Sequence, residues 1–172
     1  MSRKETVFQG VVISVDVKQV ELPNGSTARY EIVHHPGGAA VVAIDDAQRV
    51  CLLRQYRPAA GGWVWELPAG RLEPGEPPQA TAVRELMEEA GCSASHWESL
   101  GSILSSPGVF DEIIHLYLAR DLSAGEVQHE QHEVIEVHWM PLDAAVRQAT
   151  DGILRDGKTV TGLLRAAARV AK

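Results

Sequence analysis

Residues 70–92, GRLEPGEPPQATAVRELMEEAGC, limit what this chain can fold into more than any other stretch. They begin as a loop with two glycines and two acidic residues, then reach Pro77-Pro78. Proline suits the first turn of a helix, where its missing N–H would have been unpaired anyway. Residues 80–90 are mostly strong helix formers, and Gly91 follows where a left-handed cap is wanted. The spacing predicts a helix with Val83, Leu86, Met87 and Ala90 on a core-facing stripe. Glu85, Glu88 and Glu89 then gather on the other side, three and four residues apart. Such carboxylates repel one another by roughly 0.2–0.5 kcal/mol per neighbouring pair. A hard divalent cation with oxygen ligands is the natural counter-charge. Taken alone, the three glutamates also read as a solvated acidic face.

The whole stretch decides between these readings. It runs Gly70, five residues, Glu76, seven residues, then Arg84-Glu85-Leu86-Met87-Glu88-Glu89-Ala90-Gly91-Cys92. This resembles the Nudix box of diphosphate hydrolases at every defined position, with Leu86 and Cys92 where the family has aliphatic residues. A match over so many positions is far more specific than a short glycine motif.

At 172 residues the chain is long enough for one domain with a full core and short for two. Its hydrophobic content of 45% suits a globular protein. The net charge of -7 argues against general nucleic-acid binding, which calls for a basic face. An acidic chain that handles phosphates needs metal ions and local arginines to supply positive field. No apolar run approaches the ~20 residues of a membrane span, and the first residues lack a signal-peptide core. Cys51 and Cys92 each sit in an apolar run and read as buried thiols. These features predict a cytoplasmic protein with no nucleic-acid or membrane partner.

In chain order, valine-rich residues 6–22 predict a strand, Pro23-Asn24-Gly25 a turn, and residues 26–35 a second strand. The pair reads as an N-terminal hairpin, with the Pro36-Gly37-Gly38 break as the joint between residues 1–37 and a domain over 38–172. Residues 39–44 form a continuous apolar run suited to a buried strand. Further strands are expected over 49–56, 63–67, 97–105, 113–119 and 134–140. Helices are expected over 142–150 and 159–170, the latter with Leu163, Leu164, Ala167 and Val170 on one stripe. Strands flanked by helices in this order indicate an α/β/α sandwich with a mixed sheet, and the Nudix resemblance implies the same.

The resemblance also implies roles. Mg²⁺, or Mn²⁺ in its place, would be held by Glu85 and Glu89, with Glu88 accessory and the Ala69 carbonyl completing the set. Arg84 would pair with Glu76 and brace the loop against the helix. Pro107 lies sixteen residues beyond Gly91 in Ser105-Ser106-Pro107-Gly108-Val109-Phe110-Asp111-Glu112. That segment is similar to the one marking the ADP-ribose pyrophosphatase branch, which implies substrate contacts from Ser106, Gly108 and Glu112. Arg29-Tyr30 and Gln55-Tyr56-Arg57-Pro58 agree with the same branch, so Arg29, Tyr30 and Arg57 are expected at the substrate. A late-loop glutamate serves there as general base, and the matching position is Glu133, with Glu126 and Glu130 as competitors. His129 and His132 on this loop read as solvated. The branch implies a homodimer built through the N-terminal strands. The expected reaction is Mg²⁺-dependent cleavage of ADP-ribose, or a related nucleoside diphosphate sugar, to AMP and ribose 5-phosphate. GDP-mannose hydrolysis is the alternative, and a non-catalytic binding module the third reading.

Overall fold

The computed structural model describes residues 4–128 and 133–170. Its centre is β4 (Gly38–Ala43), every residue of which is buried. Alternate side chains of a strand point to opposite faces. Ala39, Val41 and Ala43 accordingly join one apolar cluster, while Ala40 and Val42, with Ile44, join another. The strand is covered on both faces, which is why its sequence is continuously apolar rather than alternating. β5 (Arg49–Arg57) splits in the same way, Cys51 and Leu53 against Val50 and Leu52.

The helix α1 (Pro78–Ala90) fills the first face through Ala82, Leu86 and Ala90. The helices α2 (Leu142–Thr150) and α3 (Gly157–Val170) fill the second through Leu142, Ala145, Leu163 and Ala166. This is the expected α/β/α sandwich. One layer sheet is mixed, ordered β7 (Ala69–Arg71), β4, β9 (Ile113–Ala124) and β8 (Cys92–Leu104), with β4 parallel to β9. The other is antiparallel, ordered β10 (Ile135–Pro141), β5 and β6 (Gly62–Glu66). Both cysteines are buried free thiols.

The N-terminal region differs from the expected two-strand hairpin. It is a three-stranded antiparallel sheet of β1 (Lys4–Gln9), β2 (Ser14–Glu21) and β3 (Thr27–His34). The run 6–22 is broken at Gly10, whose N–H is donated to the Ile13 carbonyl at 2.9 Å. A Cβ on Gly10 would meet the exposed Phe8 ring at 2.8 Å, so a larger residue there would have to displace that ring. This sheet meets the sandwich where Val33 bridges Phe110. There the His34 ring lies between Asp16 and Asp111.

Two helix faces also turn differently from their sequence stripes. On α1, Val83 is exposed whereas Glu85 and Glu89 are 8% and 3% exposed. On α3, Leu164 is exposed and Thr159, Leu163 and Ala166 face inward. In both cases the inward arc follows the residues nearest the sheet, and in α1 that arc is partly carboxylate. A buried methionine, leucine or valine at such positions would have been the ordinary choice.

Candidate active site

Glu85 and Glu89 reach their buried positions through three local features. Pro77, extended at φ -64° and ψ 141°, starts α1, and Gly91, at φ 62°, ends it. Gly70 leaves the space: a Cβ there would stand 1.9 Å from Glu85 Oε1. Ala69 donates its N–H to Glu89 Oε2 at 2.7 Å. The strand before the helix and the helix itself therefore hold each other through glutamate oxygens.

Arg84 binds this assembly together. Its Nε and Nη2 donate to Glu76 Oε1 and Oε2 at 3.1 Å each, and Nη2 also reaches the Arg71 carbonyl at 3.2 Å. Its Nη1 donates to Glu85 Oε1 at 2.6 Å and Glu88 Oε2 at 2.9 Å. All five guanidinium N–H groups are thereby engaged. Thr81 Oγ1 adds a 2.7 Å bond to Glu76 Oε2. Hydrogen bonds from Arg84 and Thr81 hold the Glu76 carboxyl down at about 2.

The neighbouring carboxyls shift the other way. Burial first, then the charges of Glu85 and Glu133, push Glu89 up to about 8 despite the bond from Ala69. Burial also raises Glu85 against the pull of Arg84, with Glu88 and Glu133 adding to the rise. Among the described residues no three His, Cys, Asp or Glu side chains converge closely enough to hold a cation as they stand. Arg84 Nη1 lies against both Glu85 and Glu88. The donor set nonetheless fits a hard divalent ion: buried carboxylate oxygens, mutually repelling, in a space that a Cβ on Gly70 would fill.

These groups line one cavity of about 970 Å³. Of the residues expected at the site, Ala69, Arg84, Glu85, Glu88, Glu89, Arg57, Glu112 and Glu133 line it. Glu76 stands behind Arg84. Ser106 and Gly108 do not line the cavity; they form a turn in which the Ser106 carbonyl accepts the N–H groups of Val109 and Phe110. Their neighbour Ser105 lines it instead. Arg29 and Tyr30 lie exposed on β3, outside the lining, on a stretch that pairs with β2 and stops short of the contact of Val33 with the sandwich. On the late loop, the Gln128 N–H is donated to the Glu88 carbonyl at 2.8 Å, and Gln128 lines the cavity while Glu126 does not. Glu130, His129 and His132 lie outside the described residues.

Sequence reasoning missed a second group on the same cavity. Glu66, at the end of β6, is 3% exposed and takes Arg57 Nε at 2.8 Å and Nη2 at 2.9 Å. Lys158 Nζ also rests on Glu66 Oε2 and lies 3.1 Å from Asp156 Oδ2. Burial raises the Glu66 carboxyl, and the two cations more than offset it, so it sits below the usual range. The one available signal was Asp156 three residues before Thr159, a helix-start spacing. Asp156 Oδ2 does accept the Thr159 N–H at 3.0 Å.

The family model described as NUDIX domain matches residues 34–161. This chain belongs to the Nudix family. It is 42% identical to the methanol dehydrogenase activator of Bacillus methanolicus, over 92% of this chain and 86% of that protein. It is 40% identical to the ADP-ribose pyrophosphatase of Bacillus subtilis, over 91% of this chain and 85% of that protein. A solved structure described as an ADP compounds hydrolase superposes with a TM-score of 0.85 at 22% identity, covering 98% of this chain and 92% of that one. That likeness carries the fold. As a Nudix hydrolase the chain joins enzymes that generally use divalent metal ions. No helix of the described residues is long and apolar enough to cross a membrane.

Proposed function

We propose that this Nudix hydrolase splits ADP-ribose, or a closely related nucleoside diphosphate sugar, into AMP and ribose 5-phosphate with Mg²⁺, Mn²⁺ serving in its place. The observation that carries the reading is a shared cavity. The glutamates of α1, Glu112 from the segment after β8, and Arg57 from β5 all line it. The resemblance to a pyrophosphatase of that specificity over most of the chain supports it.

Glu85 and Glu89, with Glu88 and the Ala69 carbonyl, would hold the ion. When bound, it neutralises charge on the diphosphate and makes water a better nucleophile. The remaining work falls to this chain's own side chains. Arg84 and Glu76 keep the loop of residues 70–76 on α1 and do not contact substrate. Glu133 takes the proton from the attacking water; its charge already bears on Glu85 and Glu89. Arg57, held by Glu66, faces the anionic substrate. Two copies would pair through the N-terminal sheet as a homodimer, a reading supported by the exposed strand β1, and this would bring Arg29 and Tyr30 of one copy to the other's cavity.

A substrate panel with phosphate and AMP detection tests this. ADP-ribose should show the largest kcat/KM, with AMP and ribose 5-phosphate in equal amounts. A larger value for GDP-mannose or a nucleoside triphosphate would replace the substrate assignment. No hydrolysis of any nucleoside diphosphate would leave a binding module.

A further inference from the structure

Arg84 has no donor to spare for a substrate, since its five N–H groups are spent on Glu76, Glu85, Glu88 and the Arg71 carbonyl. Among the described residues the other cations lining the cavity are Arg57, Arg71 and Lys158. Two of these are fixed from behind by one buried group. Glu66 Oε1 accepts Arg57 Nε, while Oε2 accepts both Arg57 Nη2 and Lys158 Nζ. The backbone under Lys158 is fixed too. Leu67, the residue after Glu66, donates its N–H to Thr159 Oγ1 at 2.9 Å, and Asp156 accepts the Thr159 N–H. A lysine is normally a loose point charge on a flexible stem. This one is 13% exposed and held on a cavity wall.

Arg57 and Lys158 share Glu66, and Lys158 also pairs with Asp156, which accepts hydrogen bonds from Thr159 in the first turn of α3. Arg57 and Lys158 are thus held in fixed positions on a cavity that Glu85, Glu88, Glu89 and Glu133 also line. An ion at the glutamates and cations already fixed in position can both engage the oxygens of a diphosphate. Building on the diphosphatase reading, we propose that Lys158 contacts a phosphate of the substrate and that Glu66 is the positioning residue that aims Lys158 and Arg57 together.

Lys158→Met should raise KM for ADP-ribose about tenfold and leave kcat within about threefold, the loss expected for one charge-assisted contact made in ground and transition state alike. Calorimetric Kd for ADP-ribose in EDTA, where turnover is stopped, should weaken in parallel, and Lys158→Arg should restore both. Glu66→Gln should also raise KM, because Arg57 and Lys158 lose their common anchor. An unchanged KM and Kd in Lys158→Met with a lowered Tm would overturn the proposal and leave Lys158 a brace between α3 and β6. Where that variant fails to fold, the wild-type chain answers. ADP-ribose in EDTA should protect Lys158, but not Lys18, from acetic anhydride, read by peptide mass spectrometry, and equal labelling with and without it overturns the contact. A wild-type enzyme that ignores ADP-ribose sinks the functional reading; an active enzyme indifferent to Lys158→Met sinks only this inference.

Discussion

In residues 70–92 Glu76, Thr81, Arg84, Glu85 and Glu88 are joined by hydrogen bonds within the same stretch, whereas β1 is exposed along its whole length. Arg84 ties Glu76, Glu85 and Glu88 within a few residues of itself. The N-terminal sheet instead leaves Val7 53% and Phe8 51% exposed, with Val11 and Val12 at its turn also outside. One region closes on itself and can be read as a unit. The other presents apolar surface left uncovered among the described residues, a feature that marks interaction sites. Breaking each should have a different signature: chemistry lost in the first, assembly in the second.

The largest effect belongs to the carboxylates. Chelation with EDTA should abolish turnover. Glu85→Gln and Glu89→Gln should each cut kcat by at least ~100-fold with the fold intact by circular dichroism, because an amide is a poor ligand for a hard cation. Glu133→Gln should lower kcat by about 10²–10⁴-fold with little change in KM, the usual contribution of a positioned base. Glu126→Gln, on the same loop but outside the cavity lining, should stay near wild type. If Glu130→Gln takes the loss in place of Glu133→Gln, the base is Glu130. Wild-type rates in both α1 variants would remove metal-dependent hydrolysis from the account.

A step smaller is Gly70→Ala. The new Cβ would stand 1.9 Å from Glu85 Oε1, so the carboxylate must move. A displacement of about 1 Å in such a site costs on the order of 100-fold in rate. Gly75→Ala is the control: its φ is 79° and no atom lies within 4 Å of the added Cβ. It should lose about 1 kcal/mol of stability to backbone strain and little activity. Equal rate losses in the two variants would show that loop strain, not the Glu85 contact, is what matters.

The N-terminal sheet should respond through mass. The wild-type chain is expected to sediment as a dimer, and Val7→Ser with Phe8→Ser should shift it toward monomer while the sandwich keeps its helical signal. Activity should then fall by about tenfold, since Arg29 and Tyr30 would no longer be delivered to a neighbouring cavity. A monomeric wild type with full activity would refute the dimer and with it any substrate role for those two residues.

What was legible in the sequence follows the same division. The sandwich showed in the unbroken apolar run of β4 and in the helix signals Pro77-Pro78 and Gly91, all local features. The direction of α1's glutamates did not show. Counting apolar spacing put Val83 inward, whereas the helix turns Glu85 and Glu89 toward β7, where Gly70 and the Ala69 N–H receive them. That reception is made by residues fifteen to twenty positions away, beyond any helical period. Lys158 was invisible for the same reason: its partner Glu66 lies 92 residues earlier. The third N-terminal strand was missed because the valine run hides a turn that is marked only by Gly10, whose N–H is donated to the Ile13 carbonyl.

The smallest effect is a pH dependence, and it tests whether residues 70–92 brace themselves as described. Hydrogen bonds from Arg84 and Thr81 hold Glu76 at about 2 against an ordinary 4.5. A carboxyl depressed on folding contributes stability in full above its unfolded value, and the contribution fades as pH falls from about 4.5 toward about 2. Glu76→Gln removes the ionised partner at every pH. The gap in Tm between wild type and this variant should be widest above pH 5 and should narrow steadily toward pH 2.5. Glu76 is partly solvated, so screening keeps the gap to a few degrees and added salt should shrink it. Arg84→Lys should lower Tm with the same pH profile, because a point charge cannot reproduce the fork that spans Glu76, Glu85 and Glu88. A gap that stays constant or widens as pH falls would mean that Glu76 acts through the shape of its loop rather than its charge. Arg84 would then be held in place by Glu85 and Glu88 alone.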